Sequence, residues 1–204
     1  EEVHKMRTDI AEKLHNEVND ALGNINILSE MALLKADEEP EKAREFVEQI
    51  QDKSSATLTA MEDMLWAITP GNDSMEMATA RMQEFLQGIN NRSEVQVEMV
   101  IDERLRNIRF DMQWRYEAFM LFKESINGVL QAGVKTCKVH VGYDRPELTF
   151  ILQFPNKGCD MQQLNNYFQG RKLAARLEGL HARLHVVVHK TNAEIECFIP
   201  SMLK

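Results

Sequence analysis

The fold of this 204-residue chain is decided by its residues 7–34, RTDIAEKLHNEVNDALGNINILSEMALL. Apolar residues in this stretch recur at steps of three and four, which is the spacing of one face of an amphipathic helix. They are Ile10, Leu14, Val18, Ala21, Leu22, Ile25, Leu28 and Ala32. The pattern predicts a first helix over about residues 3–34.

A second helix is predicted after the polar run from Lys35 to Glu41, because Pro40 within that run suits the first turn of a helix. A second apolar stripe then extends from Ala43 to Ile68, which indicates an antiparallel helical hairpin. Two such helices cannot bury their stripes well against each other alone. A four-helix bundle built from two chains buries them efficiently, so the hairpin predicts a homodimer.

The turn-rich segment from Thr69 to Asp73 predicts a boundary between two domains, residues 1–70 and 71–204. Beyond this boundary the patterns predict helices at about 75–91, 111–132 and 164–182, and strands at about 95–101, 136–143, 148–154, 183–189 and 193–199. Helices mixed with hairpin-connected strands predict an α+β chain, in which the helical hairpin is followed by a two-layer α/β sandwich.

Composition excludes several classes of function. The formal net charge of −8 argues against a nucleic-acid partner, because binding to phosphates rests on clustered Lys and Arg. The three cysteines lack CxxC spacing, so they indicate neither a disulfide framework nor a zinc site. No window approaches the roughly 18 apolar residues of a membrane span. We expect a cytoplasmic location, with any membrane anchor in a segment absent from this chain, which begins at Glu1 rather than Met.

His15 is the first candidate for chemistry. It follows Leu14 but lies outside the apolar stripe, on a solvated part of the first helix. The neutral imidazole keeps a lone pair at cytoplasmic pH and can attack a phosphoryl group. A lone surface histidine is more often inert, so this residue alone decides nothing.

The context of His15 resembles the phosphoacceptor box of sensor histidine kinases related to nitrate and desiccation sensors. The matching residues between Arg7 and Leu22 are Arg7, Ile10-Ala11, Leu14-His15 and Leu22. Residues 63–73, DMLWAITPGND, are similar to the end of the second helix in Bacteroidetes-type members, and the resemblance continues to Phe154. It implies that His15 is the phosphoacceptor, that the chain is a homodimer, and that its partner is a response-regulator receiver domain.

Two positions near His15 depart from that family. The residue after the histidine is usually an acid that assists proton transfer, and here it is the neutral Asn16. Members that dephosphorylate their regulator carry an amide five residues after the histidine, where this chain has Asp20. A carboxylate repels an incoming phosphoryl group, so the resemblance does not extend to phosphatase activity by that route.

The ATP site implied by the resemblance is also altered. The family carries a glutamate and, four residues later, an asparagine that holds magnesium; here these positions are Glu124 and Gly128. Asn127 lies about 100° around the helix from Gly128 and cannot simply replace the missing ligand.

The adenine-reading aspartate of the family corresponds to Phe154, and only Gly158 and Asp160 keep the pattern of the following turn. The glycine-rich lid that would supply backbone amides to the phosphates is shortened or absent. No cofactor is therefore firmly predicted, and Mg–ATP is the candidate if the site functions.

Three hypotheses remain open from the sequence. In the first, the chain is a phosphotransfer protein or pseudokinase whose His15 exchanges a phosphoryl group with a receiver aspartate. In the second, it is an active autophosphorylating kinase with an atypical Mg–ATP site. In the third, it is a structural dimerisation module with an inert His15. No metal site is predicted at His181, His185 and His189, because no Cys or carboxylate set accompanies them.

Overall fold

A computed structural model describes residues 2–69, 71–72, 74–92, 94–108, 110–144 and 146–201, with side chains described from residue 8 onward except at residue 107. The chain divides into two compact units, residues 1–70 and 71–204. Three residues of the predicted turns lie outside the described residues: Pro70 and Asp73 at the boundary, and Arg145 between two strands.

The first unit is a hairpin of two long helices, α1 (Glu2–Lys35) and α2 (Pro40–Ile68). Pro40 begins α2, as its fixed φ favours. Glu39 anchors the connection by ion pairs with Lys35, at 2.5 Å, and with Lys42. Hydrogen bonds from these two ammonium groups lower the pKa of Glu39 to about 2.

The hairpin buries only part of its apolar surface. Ile10, Ala21 and Ala32 of α1 are buried, as are Met64 and Ala67 of α2. Many other large apolar side chains of the hairpin remain exposed, including Leu22 at 53% and Leu58 at 59%, together with Ile27, Leu33, Leu34, Val47 and Leu65. Exposed large apolar side chains in such numbers are typical of a surface that contacts another chain.

The second unit contains four helices, a short 3₁₀ helix and five strands within the described residues. Its helices are α3 (Met75–Arg92), α4 (Met112–Gln131), α5 (Met161–Phe168) and α6 (Arg171–Gly179), and the 3₁₀ helix is Glu103–Asn107. The strands are β1 (Gln96–Ile101), β2 (Thr136–Asp144), β3 (Glu147–Pro155), β4 (Arg183–Val188) and β5 (Asn192–Pro200).

The strands form one mixed sheet in the order β1-β2-β3-β5-β4. β1 runs parallel to β2, and the other neighbours are antiparallel. Alternate residues of β2, β3 and β5 are buried and face a core shared with α4. Phe122 of α4 packs edge-on against Phe150 of β3, with 5.5 Å between the ring centroids. The predicted fold class, a helical hairpin followed by an α/β sandwich, is confirmed.

The prediction of one helix over 164–182 is wrong in detail. That region is the two helices α5 and α6, separated at Gln169 and Gly170. Asp160 starts α5 earlier than predicted, because its carboxylate accepts hydrogen bonds from the backbone N–H groups of Gln162 and Gln163. Because of this break, α5 and α6 pack separately against α4.

Candidate functional site

His15 lies in the interior of α1 with its side chain exposed to solvent. The amide nitrogen Nδ2 of Asn19 lies 3.0 Å from Nε2 of His15, four residues along the same helix. An amide nitrogen can only donate, so Nε2 is the acceptor in this pair. The His15 side chain is therefore accessible to solvent, and its Nε2 faces the Asn19 amide.

Asn16 and Asp20, the two positions that depart from the resembled motif, directly follow His15 and Asn19 in sequence. Asn16 and Asp20 are both exposed on α1, and the backbone carbonyl of Asp20 accepts a hydrogen bond from Nδ2 of Asn24 at 2.9 Å. Sequence reasoning concentrated on these two positions and missed Asn19. The signal that would have found Asn19 is the spacing of four residues, which places two side chains on the same face of a helix.

The predicted ATP-site residues centre on α4. Asp111 caps this helix by accepting a hydrogen bond from the backbone N–H of Trp114 at 2.8 Å. The helix is buried on most sides, so even its polar residues Lys123, Glu124 and Ser125 are buried. A buried carboxylate needs compensation by nearby charge or hydrogen bonds.

Glu124 obtains that compensation from α6. Nε of Arg176 lies 3.1 Å from its Oε2, and Nζ of Lys172 lies 3.5 Å from its Oε1, close enough for an ion pair but not hydrogen-bonded. Arg176 also forms an ion pair with Glu117, two turns earlier on α4. Only 10% of the Arg176 side chain is exposed. The chain's own cations thus occupy the acidic face that Glu124 would turn toward a ligand.

Gly128, at the position of the missing magnesium ligand, is covered by α5. A Cβ atom placed on Gly128 would lie 2.5 Å and 2.7 Å from two ring carbons of Tyr167, and 3.0 Å from Cζ of Phe168. Burial and the charge of Glu124 raise the pKa of the Tyr167 hydroxyl, in that order of importance. An asparagine at position 128 would therefore require the Tyr167 ring to move.

The second predicted motif, which contains Gly158 and Asp160, contacts the C-terminal end of α4. The backbone N–H of Asp160 donates to the carbonyl of Ala132 at 2.8 Å, and the carbonyl oxygen of Gly158 lies 3.1 Å from where a Cβ of Gly133 would stand. The structure therefore brings the two motif segments together. Asp160 itself is engaged in capping α5.

Phe154, at the adenine-reading position, offers no hydrogen-bonding group to a nucleotide base. Phe154 is 2% exposed, and its strand position pairs with Ala193 of β5. Its ring is a core side chain with no hydrogen-bonding atom. Asn127 is half-buried on α4, next to Gly128 in sequence and on a different side of the helix.

Two cavities of the described chain lie elsewhere. One, of about 550 Å³, is lined by Asn90 and by strand residues such as Gln96, Thr136 and Lys138. The other, of about 330 Å³, lies between α3 and the 3₁₀ helix. Neither is lined by a predicted ATP-site residue.

The described residues also contain no group of three or more His, Cys, Asp and Glu side chains placed to hold a metal ion. Nε2 of His189 instead faces Oε1 of Glu194 at 3.8 Å, and the His185 ring faces Phe198. Burial raises the pKa of the free Cys137 and Cys197 thiols to about 12. Across the described helices, none combines the length and apolarity of a membrane span.

Comparisons with known proteins agree with this architecture. A family model described as histidine kinase matches residues 7–73, which include His15. The blue-light activated histidine kinase of Erythrobacter litoralis has a similar fold, with a TM-score of 0.52 and 13% identity over 94% of this chain and 60% of that one. The Acinetobacter baumannii histidine kinase AdeS matches with a TM-score of 0.53 and 8% identity, over 94% of this chain and 98% of that one. No curated protein matches the sequence.

These similarities have defined limits. The chain spans 60% of the length of the Erythrobacter protein, and at such low identities the structural matches show the fold alone. The family match covers the helical hairpin and the turn after it, whereas the fold likeness extends over most of the chain.

Proposed function

We propose that this chain is the signalling core of a two-component sensor histidine kinase of the nitrate and desiccation-sensor type, in which His15 is the phosphoacceptor. Residues 1–70 carry the phosphoryl group and form the dimer, and residues 71–204 form an ATPase-like domain. The observation that carries the proposal is the exposed His15, with Nε2 facing the Asn19 amide at 3.0 Å, inside the segment 7–73 that matches the histidine kinase family. The partner is the aspartate of a response-regulator receiver domain.

The domain of residues 71–204 binds ATP weakly or not at all in this proposal. Support comes from three positions that would have to serve the nucleotide. Gly128 lacks a side chain and is covered by Tyr167, Phe154 is a buried core residue, and Glu124 is paired with Arg176. The phosphoryl group on His15 then comes from a phosphorylated receiver rather than from ATP.

A homodimer is part of the same proposal. The apolar side chains that the single hairpin leaves exposed, such as Leu22 and Leu58, would be buried in a four-helix bundle with a second copy. The proposal also includes a cytoplasmic location for this core, with any membrane anchor supplied by sequence outside it.

Labelled phosphate tests the proposal. The full chain is incubated with γ-labelled ATP and magnesium, and in parallel with labelled, phosphorylated receiver domains, with His15→Gln as the control. We expect label from the receiver on the native chain, no label on His15→Gln, and no label from ATP.

The other outcomes assign the other hypotheses. Strong ATP-dependent labelling of His15 identifies an active kinase with an atypical site. A chain that takes no label from the receivers, from ATP or from the small donor phosphoramidate is a structural dimerisation module.

A further inference from the structure

We propose that Asn19 is a positioning residue for His15, and that it fixes the ring proton on Nδ1 so that Nε2 remains the nucleophilic nitrogen. This inference rests on the proposed role of His15 as the phosphoacceptor. It starts from the 3.0 Å contact between Nδ2 of Asn19 and Nε2 of His15. Both side chains are exposed on α1, so neither is forced into place by a packed core.

The chemistry of the amide gives the contact its direction. The Nδ2 group carries two hydrogens and no available lone pair, so the ring nitrogen that it faces must accept. In a neutral imidazole only one nitrogen is protonated, and the proton is then on Nδ1. Asn19 therefore selects the tautomer whose free lone pair lies on the outer nitrogen.

Asn24 shows that this arrangement is not a general property of asparagines on α1. It has the same side chain and is also exposed on the same helix, yet its Nδ2 donates to the backbone carbonyl of Asp20 at 2.9 Å. Asn24 is therefore a matched control, with an equal side chain and an equal helical setting.

The phosphorylation step defines what Asn19 must do. The Nε2 lone pair forms a bond to phosphorus while the bond from phosphorus to the donor's leaving group breaks, and the leaving group takes that electron pair. The Nδ1 proton stays on the ring at first, giving a phosphorylated imidazolium, and then passes to water. The Asn19 amide must rotate away from Nε2 during attack, which its exposed position permits.

Nitrogen NMR on the full chain, with ¹⁵N-labelled histidine, tests the tautomer directly. His15→Gln assigns the signal, and the spectra are recorded at pH about 8, where an ordinary imidazole is neutral. We expect the Nδ1–H form to dominate in the native chain. The ratio of Nδ1–H to Nε2–H should fall about 1.5- to 2-fold in Asn19→Ala, the size expected for one exposed side-chain pair on a helix.

The variant Asn19→Asp, which has nearly the same shape, should reverse the tautomer preference of His15. A carboxylate only accepts hydrogen bonds, so it favours a proton on Nε2 and should bring the ratio below that of Asn19→Ala. The controls Asn24→Ala and Asn24→Asp should keep the native ratio. An unchanged ratio across the Asn19 series, or a native chain with its proton mainly on Nε2, would overturn the assignment.

Phosphorylation by phosphoramidate, which releases ammonia, supplies the second readout. Asn19→Asp should react at least about twofold more slowly than Asn19→Ala, whereas Asn24→Asp, with the same added charge on the same helix, should match the native rate. Equal rates for the two Asp variants would contradict the role of Asn19. If residue 15 forms no phosphohistidine even in the native chain, the proposed function fails, and the tautomer ratios still decide the role of Asn19.

Discussion

Replacing Gly128 by alanine tests how closely the Tyr167 ring packs against α4. The new Cβ would lie 2.5 Å and 2.7 Å from ring carbons of Tyr167, where carbon atoms pack at about 3.5–4 Å. Overpacking of this kind costs about 1–3 kcal/mol, and the better helix propensity of alanine returns about 1 kcal/mol. We therefore expect Gly128→Ala to lower the free energy of unfolding by roughly 0–2 kcal/mol.

The coupling free energy between positions 128 and 167 tests the contact more directly than the stability of a single variant does. In a Tyr167→Ala background that ring is gone and only the 3.0 Å contact with Cζ of Phe168 remains. Gly128→Ala should then be neutral or stabilising, by up to about 1 kcal/mol. The double-mutant cycle then gives a coupling of about 1–3 kcal/mol between positions 128 and 167. Gly88→Ala in α3 is the control, because nothing lies within 4 Å of its added Cβ, and it should be stabilising in either background.

Urea unfolding measures these values. Trp114 in α4 is 3% exposed and reports on the second unit, and Trp66→Phe removes the signal from the first. If Gly128→Ala stabilises the native background as Gly88→Ala does, with coupling to Tyr167 below about 0.5 kcal/mol, the Tyr167 ring does not restrict position 128.

Three further predictions concern charge and assembly. Arg176→Met removes the cation shared by Glu117 and Glu124 and should lower the free energy of unfolding of the second unit by about 2–3 kcal/mol in urea. Arg183→Met, which removes the exposed ion pair with Glu147, should lower it by less than about 1 kcal/mol. Equal losses would show that burial does not strengthen the Arg176 ion pairs. The double variant Leu22→Glu and Leu58→Glu should convert the dimer to a monomer, as measured by light scattering. The control Gln51→Glu, at an exposed polar residue, should leave the dimer intact. If the double variant remains a dimer, these two leucines do not form the bundle interface. The folded pKa of Glu39 is lowered to about 2, so its ion pairs stabilise the protein above the ordinary pKa of about 4.5 and are lost as the pH falls toward 2. The difference in melting temperature between the native chain and Glu39→Gln should therefore disappear over that pH range. A difference that does not change with pH would refute the ion pairs with Lys35 and Lys42.

The helical hairpin was predictable because its signal is local. The stripe containing Ile10 and Ala21, and the proline that opens α2, depend only on neighbours within one or two turns. The sandwich could also be predicted, since the alternation in β2 and β3 reflects one buried face.

The covering of α4 could not be predicted from the sequence. Arg176 meets Glu124 across 52 residues, and no spacing rule relates positions so far apart. The sequence shows that position 128 is a glycine. Only the packing of α5 against α4 shows that the Tyr167 ring fills the space a larger side chain would need. The missed break at Gln169 and Gly170 had hidden this, because one continuous helix would not present both Tyr167 and Arg176 to α4 in this way.

The most direct measurement is the source of phosphate on residue 15, read by mass spectrometry of the peptide that carries it under conditions that preserve phosphohistidine. The full chain is treated in parallel with phosphorylated receiver domains and with Mg–ATP. We expect phosphohistidine at residue 15 from the receivers and none from Mg–ATP. Phosphohistidine at residue 15 from Mg–ATP alone would contradict it.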